Sequence, residues 1–255
     1  MPRSYAFHAR PASRAPVHRW RAWNPCTPGS FTRPARPATM ASMETIAAPA
    51  APAFDWNALF DGFVGRLRQS GAGLDAPKLY DRFEPFALPD SRGRYVDIAD
   101  RLAEGPVVLS FMRGGFCPYC RGELQAWHEA IPRLEAVGGH FVAVSGEIGG
   151  RAEETRCGLA PNAEMLCDVD HGLALSLGLA HPMGAELHAS YRAHGLDLAD
   201  IYGDSGMLLP IPASFVIDSG GIVRYAFVEP DFRVRPDPAV VIAVVEACGP
   251  VNVPF

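Results

Sequence analysis

Several common sequence features are missing from this 255-residue chain, and each absence excludes a class of protein. No window holds eighteen consecutive apolar residues, so no transmembrane helix is expected. Six cysteines are too few for a disulfide scaffold, and they favour a reducing compartment, which we expect to be the cytoplasm. The chain has no internal repeat, no phosphate-binding glycine loop and no H-E-x-x-H zinc motif.

Acidic residues are absent from the first 43 positions, which hold seven arginines and seven prolines without apolar periodicity. Residues 1–53 are therefore predicted to be a disordered tail and linker. The composition suits an organelle transit peptide, but the prolines oppose the amphipathic helix that such a peptide forms. Met40 and Met43 offer another explanation, in which translation starts at one of them and the upstream residues are a misassigned extension. Residues 44–255 carry 16 basic and 28 acidic side chains, and a net charge of −12 argues against nucleic acid or an anionic membrane as a partner.

A strand that turns into a helix at two cysteines is the central feature of the chain. Residues 107–112 form an apolar run typical of a strand buried on both faces, and Gly114 and Gly115 break it. Apolar residues then recur at spacings of three and four, namely Leu124, Trp127, Ile131 and Leu134. Cys117 and Cys120 thus lie at a helix N-terminus, where free N–H groups and the helix dipole stabilise an anion.

That position predicts a lowered thiol pKa and makes Cys117 the candidate nucleophile. Cys120, one turn inside the helix, is placed to attack a mixed disulfide or sulfenic acid on Cys117. Arg113 either stabilises the thiolate and orients the oxidant or forms an exposed salt bridge. Tyr119 either adds a phenol to the site or provides a flat, apolar docking surface.

A structural zinc site is the alternative use of a C-x-x-C pair. Zinc ribbons need a second Cys/His pair of similar spacing, and the other cysteines are scattered: Cys26, Cys157, Cys167 and Cys248. His171 and the aspartates near it add no standard ligand spacing. We therefore expect no metal and no cofactor.

The motif Arg-Gly-Gly-Phe-Cys-Pro-Tyr-Cys between a strand and a helix resembles the active site of thioredoxin-fold proteins. More specifically, it resembles the peroxiredoxin-like branch of the alkyl hydroperoxide reductase/thiol-specific antioxidant superfamily. Residues 209–218, Leu-Pro-Ile-Pro-Ala-Ser-Phe-Val-Ile-Asp, resemble the segment in which a cis-proline starts a strand and faces the cysteines, which makes Pro212 that proline. The resemblance implies an α/β, thioredoxin-like fold with a mixed central β-sheet and helices on both faces.

Residues 54–255 are predicted to form one such domain, with an added N-terminal helix near residues 56–67 packed outside the core. Pro132 should kink or end the helix after the cysteines. Asp170 is the expected N-cap of the helix at residues 173–179, and residues 186–202 read as a loosely helical insertion. In the last helix we expect a buried apolar face made by Val240, Val241, Val244 and Val245.

Residues 231–236 resemble a segment that follows the last strand pair in relatives. One of its arginines, Arg233 or Arg235, would face the active site, although a solvated loop is the favoured interpretation.

One departure from the typical peroxiredoxin pattern affects the expected chemistry. Gly114 stands where typical members have the threonine that orients the peroxide, and Cys120 stands where they have glutamate. The resemblance implies a thiol-dependent oxidoreductase with an antioxidant role. Cys117 would attack a peroxide or disulfide substrate, Cys120 would resolve it, and thioredoxin or another dithiol would regenerate the pair. Peroxide reduction, protein-disulfide exchange and a non-enzymatic redox-sensing module all remain open.

Overall fold

The computed structural model describes residues 54–157, 163–203 and 207–249, so the predicted tail and linker lie outside the described residues. The strands are β1 (Ala87–Pro89), β2 (Tyr95–Asp97), β3 (Val107–Met112), β4 (His140–Ser145), β5 (Glu164–Cys167), β6 (Ala180–Pro182), β7 (Leu208–Pro210), β8 (Ala213–Ile217) and β9 (Val223–Val228). The helices are α1 (Trp56–Gln69), α2 (Ile98–Glu104), α3 (Pro118–Ala136), α4 (Arg151–Arg156), α5 (Gly172–Ser176), α6 (Ala185–Ala193), α7 (Ala199–Tyr202) and α8 (Pro238–Cys248). Among these helices none is long and apolar enough to cross a membrane.

A five-stranded mixed sheet with the order β5-β4-β3-β8-β9 lies at the centre. Strands β3, β4 and β5 are parallel, whereas β8 runs antiparallel to both of its neighbours. Met112 pairs with Ser145, so β3 and β4 end at the same edge of the sheet. Because α3 begins a few residues after β3, this edge carries the cysteine pair.

Helices cover both faces of the sheet, as predicted. The side chains of β3 alternate between two hydrophobic clusters, which explains why its sequence is apolar at nearly every position. Val108 and Met112 pack in the cluster that contains buried residues of α3 and α8. Leu109 and Phe111 pack in the other cluster, with residues of α2 and α5.

Helix α3 begins at Pro118, directly after Cys117, as the sequence predicts. Pro132 does not end the helix, which continues to Ala136. Trp127 and Leu134, on either side of Pro132, are fully buried, and the Trp127 ring stacks 4.5 Å from Phe141. This packing holds both neighbouring turns and compensates for the N–H group that proline lacks.

Asp168, and not Asp170, binds the N-terminus of α5. The Asp168 carboxylate accepts hydrogen bonds from the N–H groups of Leu173 (2.8 Å) and Ala174 (2.9 Å). Asp170 lies in a 3₁₀ turn before α5, with a φ of +56°. The prediction for Asp170 is wrong because that turn lets the earlier aspartate reach the free helical N–H groups.

The buried face of α8 includes two of the four predicted residues, Val241 and Val245, while Val244 is only partly buried. Val240 is 53% exposed, whereas Ile242 is buried beside Val241 and Val245. Val241, Ile242 and Val245 therefore form the buried face of α8.

The Ile211–Pro212 peptide bond is trans, so the prediction of a cis-proline is wrong. Pro212 is buried immediately before β8, whose first residue, Ala213, pairs with Phe111 of β3. The N–H group of Ile211 donates to the carbonyl of Leu179 at 2.6 Å. This hydrogen bond fixes the backbone just before β8. The usual trans isomer of an X–Pro bond is compatible with the backbone path there.

Helix α1 is part of the core and is not only an addition to its outside. Asp55 caps it by accepting a hydrogen bond from the N–H group of Ala58 at 3.0 Å. Four of its apolar side chains are buried in the cluster that also contains α3 and α8: Leu59, Phe63, Val64 and Leu67. The apolar periodicity predicts the helix correctly, but not the surface against which it packs.

Candidate active site

The turn between β3 and α3 depends on Gly114, which has a φ of +114°. A Cβ atom at this position would lie 2.7 Å from the Glu147 carboxyl carbon, so only glycine fits there. Glu147 accepts hydrogen bonds from the Gly115 N–H group (3.0 Å) and the Ser145 hydroxyl (3.2 Å). Burial raises the pKa of Glu147 against the effect of these donors. A buried carboxyl group thus fixes the turn that leads into Cys117.

Both cysteines of the pair are buried, and their pKa values move in opposite directions. Cys117 is the N-cap residue of α3 and is 2% exposed. A hydrogen bond from the Cys120 thiol lowers the pKa of Cys117 to about 5, and the positive charges of Arg113 and Arg235 act in the same direction against burial. Burial and the neighbouring Cys117 raise the pKa of Cys120 well above its ordinary value. Cys117 is therefore the thiolate and Cys120 the neutral thiol, the order that the sequence predicts.

Arg113 lies beside the thiolate and is 1% exposed, so the exposed salt-bridge alternative is wrong. Its Nη2 atom donates to the Tyr191 hydroxyl at 2.7 Å, and its guanidinium carbon lies 4.1 Å from the centre of the Phe232 ring. The Tyr202 hydroxyl donates a hydrogen bond to the backbone carbonyl of Arg113 at 2.5 Å. The Nε and Nη1 atoms are buried and have no hydrogen-bond partner among the described residues. Burial opposes the charge, but Tyr191 and Cys117 raise the pKa of Arg113.

Arg235 reaches the cysteine pair from the loop before α8, so the solvated-loop interpretation is wrong for this residue. Its Nη2 atom lies 3.4 Å from the Cys120 sulfur, and its Nε atom donates to Glu123 at 2.7 Å. The second oxygen of Glu123 accepts a hydrogen bond from the Ser110 hydroxyl at 2.8 Å. Burial raises the pKa of Glu123, while Arg235 opposes that effect. Arg233 pairs instead with Asp231 and Asp61.

The backbone adds a second donor to the Cys120 sulfur. The N–H group of Arg113 lies 3.3 Å from it. Cys120 therefore receives hydrogen bonds from Arg113 and Arg235 while its own thiol faces Cys117. These donors favour the thiolate that Cys120 must become when it attacks, although burial keeps it protonated at rest.

A cavity of about 340 Å³ opens in front of Cys117. Arg113 and Tyr119 line it, and most of its wall is aromatic: Trp56, Phe60, Phe116, Tyr191 and Phe232. The Tyr119 ring meets the Phe232 ring edge-on, with 5.7 Å between the centroids. Pro212 does not line this cavity. Cys117, Arg113 and Tyr119 thus line one cavity, whereas Pro212 is buried outside its lining, immediately before β8.

Several residues of the site are not predicted by the sequence reasoning. Glu123 could have been identified from the sequence, because an acidic residue on the buried stripe of α3, between Cys120 and Trp127, needs a partner. Tyr191 belongs to the insertion, whose helical pattern does not show what it faces. The aromatic residues of α1 are visible as a stripe, but only the folded chain brings them to the cavity. In the described ranges no cluster of three or more His, Cys, Asp or Glu side chains could hold a metal ion.

Solved peroxiredoxins share this fold. A cysteine-to-serine mutant of peroxiredoxin 6 from Arenicola marina has 18% identity and a TM-score of 0.52, covering 67% of this chain and 73% of that one. A cysteine-to-serine mutant of PrxQ from Xylella fastidiosa has 13% identity and a TM-score of 0.52, covering 67% and 96%. Peroxidoxin BcpB from Mycobacterium tuberculosis has 23% identity and a TM-score of 0.49, covering 67% and 97%. The comparison with curated proteins gives no match.

These distant structures show the fold alone. The family to which the chain belongs is shown by a match of its sequence to a family model. Residues 79–226 match the AhpC/TSA family, and they make up more than half of the chain. The matched range contains the strand, the cysteine pair, the helix and β8. The chain therefore belongs to the AhpC/TSA family, and it is a thiol-dependent, peroxiredoxin-like oxidoreductase.

Proposed function

We propose that the protein reduces a hydroperoxide at Cys117, that Cys120 resolves the oxidised sulfur, and that an external dithiol such as thioredoxin regenerates the pair. The observation that carries this proposal is the position of Cys117 at the N-terminus of α3, where it lines a cavity together with Arg113 and has the buried Cys120 one turn behind it. A thiolate that is buried beside a guanidinium is ready to attack, and a neutral thiol hydrogen-bonded to it is ready to resolve.

In the first step the Cys117 thiolate attacks one oxygen of the hydroperoxide. The O–O bond breaks, an S–O bond forms, and Cys117 is oxidised to a sulfenic acid. The released alkoxide takes up a proton and leaves as an alcohol, or as water when the substrate is hydrogen peroxide. Arg113 supports this step because its free N–H groups can donate to the peroxide oxygens as negative charge moves onto them.

In the second step Cys120 attacks the sulfur of Cys117. The S–S bond forms, and the hydroxyl group leaves as water together with the proton of the Cys120 thiol. Arg235 and the Arg113 N–H group stabilise negative charge on the Cys120 sulfur during the attack. Glu123 holds Arg235 in place through a buried ion pair.

In the third step an external dithiol reduces the Cys117–Cys120 disulfide and is itself oxidised to a disulfide. Cys117 is the sulfur for that dithiol to attack, because it lines the cavity whereas Cys120 is completely buried. Since the cycle consumes a dithiol, we propose that the protein works in a reducing compartment such as the cytoplasm.

Protein-disulfide exchange uses the same two sulfurs and is the competing function. The free N–H groups of Arg113 favour peroxide reduction, because they can donate hydrogen bonds to the peroxide oxygens. They would replace the hydroxyl of the threonine that this chain lacks. A disulfide substrate has no oxygen at the reacting atoms to accept these hydrogen bonds. A redox sensor would undergo the first two steps but would not turn over.

A coupled assay with thioredoxin, thioredoxin reductase and NADPH tests the proposal. The wild type should consume hydroperoxide through many turnovers, Cys117→Ser should be inactive, and Cys120→Ser should be slow but partly rescued by a small thiol. Reduction of insulin disulfides without consumption of peroxide would establish exchange instead. Oxidation of one equivalent without turnover would establish a sensor.

A further inference from the structure

The two arginines beside the cysteine pair are held by partners of different charge. Arg235 forms a buried ion pair with Glu123, with 2.7 Å between its Nε atom and the carboxylate oxygen. Arg113 forms no ion pair with a carboxylate in the described ranges, and its Nη2 atom donates instead to the hydroxyl of Tyr191 at 2.7 Å. A hydroxyl carries no net charge, so the positive charge of Arg113 is left for the sulfur of Cys117, whereas that of Arg235 is shared with a carboxylate.

The direction of the Arg113 guanidinium depends on one hydrogen bond. Its central carbon lies 4.1 Å from the centre of the Phe232 ring and 5.6 Å from the centre of the Phe116 ring. An aromatic face attracts a cation, but it does not fix how a planar guanidinium is rotated above it. Since Nε and Nη1 have no hydrogen-bond partner among the described residues, the bond from Nη2 to Tyr191 is the contact that fixes this rotation.

Tyr191 is held in place by its ring, independently of its hydroxyl. The residue lies in the last turn of α6 and is buried. Its ring stacks on Trp56 of α1 with 5.8 Å between the centroids, and it meets Phe116 edge-on at 6.5 Å. A phenylalanine ring would keep both contacts. The hydroxyl can therefore be removed while the packing between α1 and α6 stays.

We propose that Tyr191 is a positioning residue, whose hydroxyl keeps the Arg113 guanidinium directed at Cys117 and, being uncharged, leaves the positive charge to that sulfur. No hydrogen bond joins Tyr191 to either sulfur in the described part of the chain, so it acts through Arg113. A carboxylate in its place would compete with the thiolate for the guanidinium, as Glu123 does for Arg235. The proposal concerns the ionisation of Cys117, so it holds for peroxide reduction and for disulfide exchange alike.

The pKa of Cys117, measured by iodoacetamide labelling over a series of pH values, tests the proposal without any turnover. The hydrogen bond from Cys120 lowers this pKa most, and the charge of Arg113 lowers it further. Tyr191→Phe should raise the pKa by about one unit, because the guanidinium loses its fixed direction, and labelling at about pH 5.5 should then slow about threefold. Tyr202→Phe is the matched control, since the hydroxyl that it removes binds the backbone carbonyl of Arg113 and not the guanidinium. Its Cys117 pKa should stay near the wild-type value.

A double-mutant cycle shows whether Tyr191 acts through Arg113. Arg113→Gln removes the charge, so adding Tyr191→Phe to it should leave the Cys117 pKa unchanged. A rise of the same size in that background would overturn the proposal. So would an unchanged or lower pKa in Tyr191→Phe alone, or equal shifts in Tyr191→Phe and Tyr202→Phe, which would indicate a merely structural role. If Arg113→Gln does not fold, the comparison of the two tyrosine variants decides the question.

Discussion

The Cys120 thiol should control the acidity of Cys117, and replacing Cys120 tests this directly. The hydrogen bond from Cys120 is the largest single cause of the lowered Cys117 pKa. Cys120→Ala removes the donor and leaves Arg113, Arg235 and the N-terminus of α3 in place. Cys120→Ser keeps a hydrogen-bond donor at the same position and is the matched control.

The size of the effect follows from the energy of one hydrogen bond. A hydrogen bond to a charged group contributes about 1.5–3 kcal/mol, and about 1.4 kcal/mol corresponds to one pKa unit. Cys120→Ala should therefore raise the Cys117 pKa from about 5 to about 6–7. Because a higher pKa leaves less thiolate at acidic pH, alkylation near pH 5.5 should slow by about eightfold for a rise of about 1.5 units. Above about pH 8 the difference should vanish, since Cys117 is then ionised in both proteins.

Iodoacetamide labelling followed by peptide mass spectrometry, at a series of pH values, measures the Cys117 pKa. Burial raises the pKa of Cys167 to about 11 and also raises that of Cys248, so these thiols should label slowly under acidic conditions. Cys120→Ser should stay near the wild-type curve. An unchanged pKa in Cys120→Ala would refute the hydrogen-bond explanation and assign the shift to the arginines and the helix N-terminus.

Three further outcomes follow from the geometry. Gly114→Ala should lower the free energy of unfolding by about 1–3 kcal/mol, because residue 114 has a positive φ. The matched control is Gly122→Ala, on the open face of α3, which should leave that free energy unchanged or raise it by about 0.5–1 kcal/mol. Thermal or urea unfolding measures both. Arg235→Gln should slow disulfide closure by about tenfold or more, seen as sulfenic acid persisting on Cys117 in stopped-flow and trapping experiments; closure at the wild-type rate would exclude Arg235 from this step. Cys117→Ser should abolish turnover with every substrate, and residual activity in the coupled assay would contradict its assignment.

The sequence predicts the elements whose cause is local. The apolar run of β3, the double glycine and the spacing of Leu124, Trp127 and Ile131 specify a strand, a turn and a helix, and the structure has all three. The lowered pKa of Cys117 follows in part from the same local pattern, because Cys120, whose side chain and backbone both lower it, lies in the first turn of the helix that Cys117 caps. These predictions need no knowledge of which distant segments meet.

The features that the sequence does not predict depend on contacts between distant segments. Arg235 is 115 residues from Cys120 in the chain, and only the fold brings its guanidinium to that sulfur. Whether Arg113 is buried or exposed is decided by Tyr191 and Phe232, which come from an insertion and a late loop. The prediction of a cis bond before Pro212 is wrong, and it had rested on the family resemblance alone. Apolar periodicity carries no information on these contacts, and the resemblance of residues 231–236 to a family segment offers Arg233 and Arg235 without distinguishing between them.

The most direct test is to identify the sulfur that a hydroperoxide oxidises first. Cys120→Ser is treated with one equivalent of cumene hydroperoxide and then with dimedone, and each cysteine peptide is examined by mass spectrometry. The adduct should appear on Cys117 alone, and the wild type under the same conditions should instead give a Cys117–Cys120 disulfide. An adduct on another cysteine, with Cys117 still reduced, would contradict the central role assigned to Cys117.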